Sequence, residues 1–290
     1  MRWLVFVTLL WAFSFSLIGE FLAGQVDGYI AVATRMLLAF LTFLPFLKWN
    51  SANSKAVFAL MGIGAIQIGV MYLFFYHSFL FLTVPEVLLF TILTPVYVSL
   101  LDDLIFVKQF RLNWLLPAII AVVGAAIIRY QTVSSDFWTG LLLVQAANLC
   151  FAFGQVAYKR LAIPSHLTQK NIFAFFFLGA LLISLFPAIF IADWTKVPVT
   201  ITHYATLTWL GIVASGLGYY FWNYGSKQVN TGQLATMNNL LIPAGILVNV
   251  VFWGRPANWL SLTFGAVIIL ASILIASYYS KAMKNKSADN

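Results

Sequence analysis

Charged residues are scarce in this sequence. Asp, Glu, Lys and Arg make up 8% of the 290 residues, whereas 62% are hydrophobic, and the mean hydropathy is +0.93. Soluble domains are about half apolar and about a quarter charged. A chain with so few charges cannot cover a water-facing surface with polar groups, which excludes a soluble enzyme, a disordered protein and a nucleic-acid-binding domain. We therefore predict an integral membrane protein.

The sequence also has few residues that bind metals or cofactors. The single cysteine, Cys150, excludes a disulfide framework and a Cys-based zinc site. The three histidines, His77, His166 and His203, are far apart in the sequence, so no metal site is predicted. A Walker-type glycine-rich phosphate loop is missing as well, so the chain gives no support for ATP-driven work and predicts no cofactor.

Long apolar blocks are what the sequence has in abundance. A bilayer core about 30 Å thick is crossed by roughly 20 apolar residues in a helix. Ten such blocks lie between polar breaks, at about 3–22, 29–48, 56–77, 84–103, 112–130, 137–157, 172–192, 204–224, 231–253 and 259–279. Backbone amides in lipid need partners within a helix or a closed barrel, and these blocks lack the alternation of barrel strands. The pattern predicts an all-α protein with ten transmembrane helices, the first of them too long for a signal peptide.

Lysine and arginine are unevenly distributed between alternate connections. If the N-terminus is cytoplasmic, twelve of the sixteen lie in cytoplasmic segments, and three, Arg129, Lys196 and Arg255, lie outside. Arg35 falls within a span. Positively charged segments are retained in the cytoplasm, so this bias predicts both termini on the cytoplasmic side. Membrane orientation also explains the net charge of +8 without a nucleic-acid partner.

The chain contains a weak internal repeat. An offset of 148 residues aligns Pro95 with Pro243 and Tyr76 with Tyr224. Each half then holds five spans, and an odd number per half forces the halves into opposite orientations, as in many secondary transporters. We predict a first five-helix repeat at 1–132, a second, inverted repeat at 133–281, and a short basic cytoplasmic tail at 282–290. Two fused halves are consistent with a working monomer.

Several short motifs resemble those of a known superfamily. They are Leu10-Trp11-Ala12-Phe13, Thr34-Arg35-Met36-Leu37-Leu38-Ala39, Val84-Pro85-Glu86 and Thr94-Pro95 in the first unit, and 219–224 and Ile242-Pro243 in the second. The chain resembles the drug/metabolite transporter superfamily, in particular the bacterial ten-helix EamA-type transporters, over nearly its whole length. The motifs are loose, so the resemblance is to a superfamily and not to one substrate.

The resemblance implies a function. It implies a secondary transporter in the bacterial inner membrane, not an enzyme, that moves a small metabolite such as an amino acid or a related compound, often outward. The proton or the membrane potential would drive transport. The chain departs from the family where members often have a Gly-Glu pair, since it has Phe106-Val107-Lys108 and Gly254-Arg255-Pro256 there. Any role tied to those glutamates is in doubt here.

Three charged residues fall within the predicted spans: Glu20, Arg35 and Glu86. Charges inside a membrane are costly and are functional candidates by default. In one interpretation Arg35 holds a substrate carboxylate, and Glu86 or Glu20 takes an amine or a proton. In the other, Arg35 forms a structural ion pair with one glutamate or extends toward the membrane surface. The sequence leaves both interpretations open.

Uncharged polar residues cluster on single faces of predicted helices 3, 4, 6, 8 and 9. One interpretation is a central cavity lined by these faces, and the other is interhelical packing and hydrogen bonding. Two prolines lie within predicted helices 4 and 9 and are candidate hinges: Pro95 and Pro243. The candidate substrate-binding residues are Arg35, Tyr72, Tyr76, Glu86, Asn148, Gln155, Tyr219, Trp222, Thr236 and Asn239.

Two other functions compete with a transporter of a small molecule. The first is a membrane-embedded transferase that acts on a lipid-linked substrate, with Asp102-Asp103 as a metal-diphosphate site. No second acid-rich motif follows this pair, which disfavours that function. The second is a channel or structural subunit, against which the inverted repeat argues weakly. Saturable uptake, lipid turnover and non-saturating flux distinguish the three functions.

Overall fold

Helices make up most of the described chain. A computed structural model describes residues 1–49, 54–128, 137–163, 165–254, 256 and 258–288, and no β-strand occurs within these ranges. The α-helices are α1 (Arg2–Phe21), α2 (Gly28–Phe43), α3 (Ser54–Gly64), α4 (Met71–Ser78), α5 (Val84–Phe90), α6 (Thr94–Leu101), α7 (Leu112–Ile128), α8 (Phe137–Arg160), α9 (Phe173–Phe190), α10 (Ile201–Thr208), α11 (Gly218–Ser226), α12 (Thr231–Asn239), α13 (Leu241–Trp253) and α14 (Trp259–Ala288).

Some of these helices continue into one another through short stretches of different pitch. Wider, π-helical turns join α3 to α4 at Ala65–Val70 and α10 to α11 at Trp209–Leu217. A tighter 3-10 turn at Thr91–Leu93 joins α5 to α6, and a π-helical stretch at Asp102–Val107 extends α6. Such distortions interrupt the regular ladder of backbone hydrogen bonds, so other groups must satisfy the affected carbonyls.

Eight helical rods among the described residues are long and apolar enough to cross a membrane. They are Arg2–Phe21, Gly28–Phe46, Ser54–Ser78, Glu86–Val107, Phe137–Arg160, Phe173–Phe190, Thr231–Trp253 and Trp259–Tyr279. A shorter apolar helix spans Leu112–Ile127, and α10, its π-helical turn and α11 form a more polar rod over 201–226. Each predicted apolar block overlaps a helix, which confirms an all-α, multi-pass membrane protein. Eight rods meet the criteria for a span, not the predicted ten.

Apolar side chains cover much of the outer surface of the helices. Leu182 and Phe190 of α9 are 53% and 72% exposed, and Phe264 and Leu274 of α14 are 60% and 70% exposed. A soluble monomer rarely exposes large contiguous apolar patches. These faces fit a lipid environment, where apolar side chains need no cover.

The backbones of α3 and α9 touch at two glycines. A Cβ atom added to Gly64 would collide with the Phe176 carbonyl, and one added to Gly179 would collide with the Met61 carbonyl. Small residues allow membrane helices to approach this closely and to gain van der Waals contact. The two glycines therefore fix how α3 and α9 are rotated against each other.

The helices end at two opposite ends of the bundle. At the Asp27 end, Asp27 accepts hydrogen bonds from the backbone N–H groups of Tyr29 (2.8 Å) and Asp193 (3.1 Å), which joins the α1–α2 and α9–α10 connections. At the Asp102 end, the ends of α6 and α8 meet the start of α12, since Asp102 binds Arg160 and Thr231.

Candidate functional site

A cavity lies in the middle of the helix bundle. The volume of this cavity is about 90 Å³. Aromatic rings form much of its wall, and a smaller number of polar side chains reach it. Its lining residues are Trp11, Ser14, Phe15, Ile18, Arg35, Met71, Tyr72, Phe75, Thr91, Thr94, Ala147, Asn148, Phe151, Tyr219, Asn238 and Leu241. An apolar wall with a few convergent polar groups is typical of a small-molecule site.

Arg35 is the one arginine among these lining residues, and its side chain is fully buried. Nη1 donates to the Tyr76 hydroxyl (2.9 Å), and Nη2 donates to the Tyr72 hydroxyl (2.6 Å) and to Ser215 Oγ (3.0 Å). The guanidinium carbon lies 4.2 Å from the centroid of the Tyr72 ring, a cation–π contact. These partners are neutral hydroxyls and a ring, so none of them cancels the positive charge.

The predicted ion pair between Arg35 and a glutamate is not formed. Within the described part of the chain the ion pairs are those of Arg111 and Arg160 with aspartates. Glu86 Oε2 instead accepts from the N–H and the hydroxyl of Thr83, both at 2.8 Å. This capping box binds the carboxylate to the start of its own helix. Because Arg35 is buried, its predicted extension toward the surface is also wrong.

The lining residues that the structure describes include neither Glu86 nor Glu20. Glu20 lies in the last turn of α1, near the Asp27 end, and Glu86 lies in the first turn of α5. The predicted proton-coupling roles of these two residues remain predictions.

Amide side chains bind the carbonyls that the 3-10 turn after α5 leaves free. The Phe90 carbonyl accepts from Gln145 Nε2 and from Asn148 Nδ2, both at 2.9 Å. The Ile92 carbonyl accepts from Asn239 Nδ2 at 3.0 Å. Buried carbonyls without a partner are costly, so these amides stabilise the interruption. Asn148 contributes to the cavity wall as well, and Asn239 does not.

Both predicted hinge prolines follow such an interruption. Pro95 lies in the first turn of α6, directly after the 3-10 turn, and Pro243 lies in the first turn of α13, after the break at Leu240. Proline is tolerated in the first turn of a helix because the N–H it lacks would have no partner there. The structure explains how these helices accommodate proline, and the hinge role remains a prediction.

A layer of paired amides lies between the cavity and the Asp102 end. Gln67 and Asn223 exchange hydrogen bonds of 3.1 and 3.2 Å. Gln155 Oε1 accepts from Trp222 Nε1 at 3.0 Å, and its Nε2 donates to Asn238 Oδ1 at 3.4 Å. Gln155 and Trp222 were predicted to bind substrate, but in this structure they bind each other between α8 and α11, outside the lining.

Beyond this layer, Asp102 joins three helices at the Asp102 end. Its carboxylate accepts two hydrogen bonds from Arg160, both at 2.8 Å, one from Arg111 at 2.6 Å and one from the Thr231 hydroxyl at 2.6 Å. Its neighbour Asp103 accepts from the side chain and the backbone N–H of Arg111, both at 2.7 Å. The two aspartates that the transferase alternative would use as a metal-diphosphate site are therefore bound by two arginines.

Four of the predicted binding residues line the cavity: Arg35, Tyr72, Asn148 and Tyr219. Tyr76 holds Arg35 from outside the lining.

Thr236 donates to the Gly232 carbonyl of its own helix at 3.0 Å. Such local bonding is usual for a buried helical threonine. Its predicted role in binding therefore has no support from this geometry.

Sequence reasoning missed the contribution of α1. Trp11, Ser14 and Ile18 line the cavity, and their spacing of three and four residues places them on one helix face. Trp11 Nε1 also donates to the Ala214 carbonyl at 2.8 Å, which fixes α1 against the π-helical turn before α11. The polar tip of Trp11 and the hydroxyl of Ser14 on one face were the available signal.

A second cavity, of about 140 Å³, lies at the Asp27 end. Ile18 lines both cavities, and Tyr76, which binds Arg35, lines the second. Asp27 and Lys196 lie at its rim. The Arg35 and Tyr76 pair therefore separates the central cavity from a more polar cavity at that end.

Comparison with known proteins gives consistent matches along the chain. The model of the EamA-like transporter family matches residues 1–130 and again 138–278. A biotin transporter of Salmonella typhimurium is 46% identical over 290 residues, which cover 100% of this chain and 97% of the relative. A biotin transporter of Escherichia coli K12 is 45% identical with the same coverage. A probable biotin transporter of Pseudomonas aeruginosa is 48% identical over 277 residues, or 95% of this chain and 96% of the relative.

A solved crystal structure of a protein with 16% sequence identity has a TM-score of 0.75 and covers 97% of this chain and 98% of its own chain. At this identity the likeness shows a shared fold alone. The matches confirm the predicted superfamily and a transporter that is not an enzyme. The relatives' names do not support the amino-acid substrate that the resemblance implied.

Proposed function

We propose that this chain, which belongs to the EamA-like transporter family, is a secondary transporter that carries biotin, or a closely related monocarboxylate, across the bacterial inner membrane. Two observations support the substrate. Full-length relatives at 45–46% identity are named biotin transporters. The cavity wall presents a buried arginine whose charge no described carboxylate cancels.

Arg35 carries the argument for a carboxylate. Burying a charge without a counter-ion is costly, so an anionic ligand that reaches the guanidinium gains more there than a neutral one. A hydrogen bond from a guanidinium N–H to a carboxylate is also charge-assisted and is stronger than one between neutral groups. The carboxylate of biotin is ionised at neutral pH. Its apolar chain and sulfur-containing ring suit a wall built from Trp11, Phe75 and Phe151.

The contacts between helices support the proposed inverted repeat. Helix α1 of the first half packs on α11 and α13 of the second half. Helix α8 of the second half packs in the same way on α4 and α6 of the first half. α2 packs on the π-helical turn before α11, and α9 packs on the one before α4. The pairs α2–α9 and α7–α14 join equivalent helices. Exchanging the halves preserves these pairings, as expected for two five-span units of opposite orientation.

Alternating access follows from the asymmetry of the two ends. The paired amides and the Asp102 contacts close the path from the cavity to the Asp102 end, whereas a second cavity adjoins Arg35 and Tyr76 at the Asp27 end. With both termini in the cytoplasm, as the charge bias predicts, the second cavity lies on the outer side, and Arg35 and Tyr76 separate the central cavity from it. Opening toward the cytoplasm would separate Asp102 from Arg160 and Thr231. The interruptions before Pro95 and Pro243 offer flexible points for that motion.

The proposed energy source is the proton gradient or the membrane potential. Glu86 and Glu20 remain candidates for proton binding. If Glu86 binds the transported proton, Glu86→Gln abolishes the stimulation of uptake by an imposed pH gradient. If it only caps α5, this variant keeps the cap, because glutamine also serves at this position of a capping box, and it keeps the stimulation. Uptake into proteoliposomes with and without a pH gradient distinguishes the two roles.

The main experiment is uptake of radiolabelled biotin into proteoliposomes that contain the purified chain. We expect saturable uptake, competition by desthiobiotin, and no competition by biotin methyl ester, which lacks the carboxylate. Hydrogen bonds to a charged group contribute about 1.5–3 kcal/mol. Arg35→Gln should therefore raise the KM for biotin by about 10- to 150-fold.

The matched control is Arg2→Gln, because Arg2 is exposed at the start of α1 and should leave the KM unchanged. Size-exclusion chromatography in detergent verifies that each variant is folded. Biotin uptake with an unchanged KM in Arg35→Gln would refute the role of this residue. Flux that rises linearly with biotin concentration would indicate a channel.

A further inference from the structure

We propose that Ser14 and Asn148 form a second polar subsite in the central cavity, which binds an amide or ureido group of the substrate. The inference rests on the proposed function, in which Arg35 binds the carboxylate in the same cavity. Both side chains line the cavity, and both are more than nine-tenths buried, at 6% and 5% exposure. Each presents a polar atom for which the described protein provides no partner.

Ser14 has a buried hydroxyl without a hydrogen-bond partner among the described residues. A serine or threonine in a helix usually donates to the carbonyl four residues earlier. Thr8 of the same helix does so, since its hydroxyl donates to the Leu4 carbonyl at 2.8 Å. An unpaired buried hydroxyl is destabilising. A hydroxyl that stays unpaired in a cavity wall is therefore available to a ligand.

Asn148 presents a carbonyl oxygen whose orientation the neighbouring groups fix. Its Nδ2 donates to the Phe90 carbonyl at 2.9 Å and to Gln145 Oε1 at 3.3 Å. Both partners are acceptors, so the NH2 group of Asn148 must face them and its Oδ1 must point away. Among the described residues no group donates to this oxygen. Asn148 therefore offers a fixed acceptor in the cavity that the hydroxyl of Ser14 also lines.

Two threonines and one other asparagine in the cavity wall already donate hydrogen bonds to backbone carbonyls. Thr91 donates to the Leu88 carbonyl at 2.8 Å, and Thr94 donates to the Thr91 carbonyl at 2.7 Å. The amide NH2 of Asn238 donates to the carbonyls of Leu234 and Ala235. These bonds stay within one helical rod, so these groups need no ligand. Ser14 and Asn148 differ from them in this respect.

The two free atoms match one chemical group. An amide or ureido group has an N–H that can donate to Asn148 Oδ1 and a carbonyl that can accept from the Ser14 hydroxyl. Biotin and desthiobiotin have a ureido ring at the end opposite the carboxylate, whereas octanoate has only the carboxylate. A site built to hydrogen-bond a group discriminates against analogues that lack it, because its buried polar atoms then stay unpaired.

The test compares two variants with two matched controls. Ser14→Ala and Asn148→Leu each remove one atom of the proposed subsite. Ser16→Ala removes a hydroxyl that is also buried and unpartnered on α1 but lies outside the lining. Gln145→Met removes the other hydrogen bond to the Phe90 carbonyl without changing the cavity wall, and this carbonyl, at 2.9 Å, still holds the NH2 group of Asn148. The thermal unfolding midpoint of each variant in detergent reports its folding.

The readout is inhibition of radiolabelled biotin uptake into proteoliposomes by unlabelled biotin, desthiobiotin and octanoate. We expect Ser14→Ala and Asn148→Leu each to raise the inhibition constants of biotin and desthiobiotin by about 3- to 10-fold and to leave that of octanoate unchanged. Both controls should leave all three constants unchanged. Arg35→Gln should raise all three.

Two results would overturn the subsite while leaving the proposed function intact. One is that Asn148→Leu lowers the affinities for biotin and octanoate equally and that Gln145→Met has the same effect. This result would show that Asn148 serves in helix packing. The other is an unchanged affinity for biotin in Ser14→Ala. Absence of biotin uptake by the unsubstituted protein would instead overturn the proposed function, and the subsite with it.

Discussion

Asp102→Asn should open the Asp102 end of the protein. The carboxylate of Asp102 holds the two halves together there, because Arg160 and Thr231 belong to the second half and Asp102 belongs to the first. Asparagine keeps the shape of the side chain but removes its charge and one of its two acceptor oxygens. The closed conformation, in which these contacts exist, should lose stability relative to a conformation in which they are broken.

The size of the effect follows from the contacts. Asp102 accepts three hydrogen bonds from the second half, two of them from Arg160. Hydrogen bonds to charged groups contribute about 1.5–3 kcal/mol, but water screens an exposed partner, and the Arg160 side chain is 38% exposed. We therefore expect a loss of about 2 kcal/mol, which raises the ratio of open to closed molecules by about 30-fold.

The assay is alkylation of a buried thiol at the Asp102 end. Ser226 is fully buried and lies four residues after Trp222, on the same face of α11. The Ser226→Cys thiol, in a protein whose native cysteine is removed by Cys150→Ser, should react with a maleimide only when that end opens. In inside-out vesicles, adding Asp102→Asn should raise the alkylation rate by about 30-fold.

The neighbouring residue supplies the control. Asp103 is equally buried, but among the described residues its carboxylate binds only Arg111, within the first half. Asp103→Asn should therefore cost stability without opening the Asp102 end. The same alkylation rate in Asp102→Asn as in the parent, or an equal rise in both variants, would refute the proposed closure.

Two further predictions concern stability. Burial lowers the pKa of Lys227 from 10.5 to about 8. Between pH 8 and pH 10.5 the amine of Lys227 is therefore protonated in the unfolded chain and neutral in the folded chain. Lys227 should therefore make the free energy of unfolding rise from pH 8 to pH 10.5, and Lys227→Met should reduce this rise in thermal unfolding midpoints by the contribution of that residue. Gly64→Ala places a methyl group against the Phe176 carbonyl and should destabilise the protein by about 1–3 kcal/mol. Gly62→Ala, in open space on the same helix, should stabilise it by up to about 1 kcal/mol, and chemical unfolding in detergent compares the two.

The positions of the helices could be read from the sequence because lipid leaves an apolar segment few alternatives. Backbone groups in a bilayer must be satisfied within the segment, so long apolar runs become helices wherever they occur. Arg35 could be identified for a related reason, since a charge in an apolar run is rare and costly. The inverted repeat at an offset of 148 residues stays a prediction.

The roles of individual polar residues could not be read in the same way. Glu86 was paired with Arg35 in prediction, yet a threonine three residues earlier binds its carboxylate. The Thr-x-x-Glu spacing that signals a capping box was present in the sequence. Gln155 and Trp222 were assigned to the cavity as polar residues on inward faces, but they satisfy each other.

The sequence by itself determined that the protein lies in a membrane, that it is helical, and that one arginine has to be accommodated inside it. These properties depend on composition and on segments of about 20 residues, which lipid constrains one at a time. The tertiary structure alone decided which polar atoms face the cavity. That choice depends on how each helix is rotated about its axis, and contacts between distant residues, such as Gly179 against Met61 and Trp11 against Ala214, set the rotation.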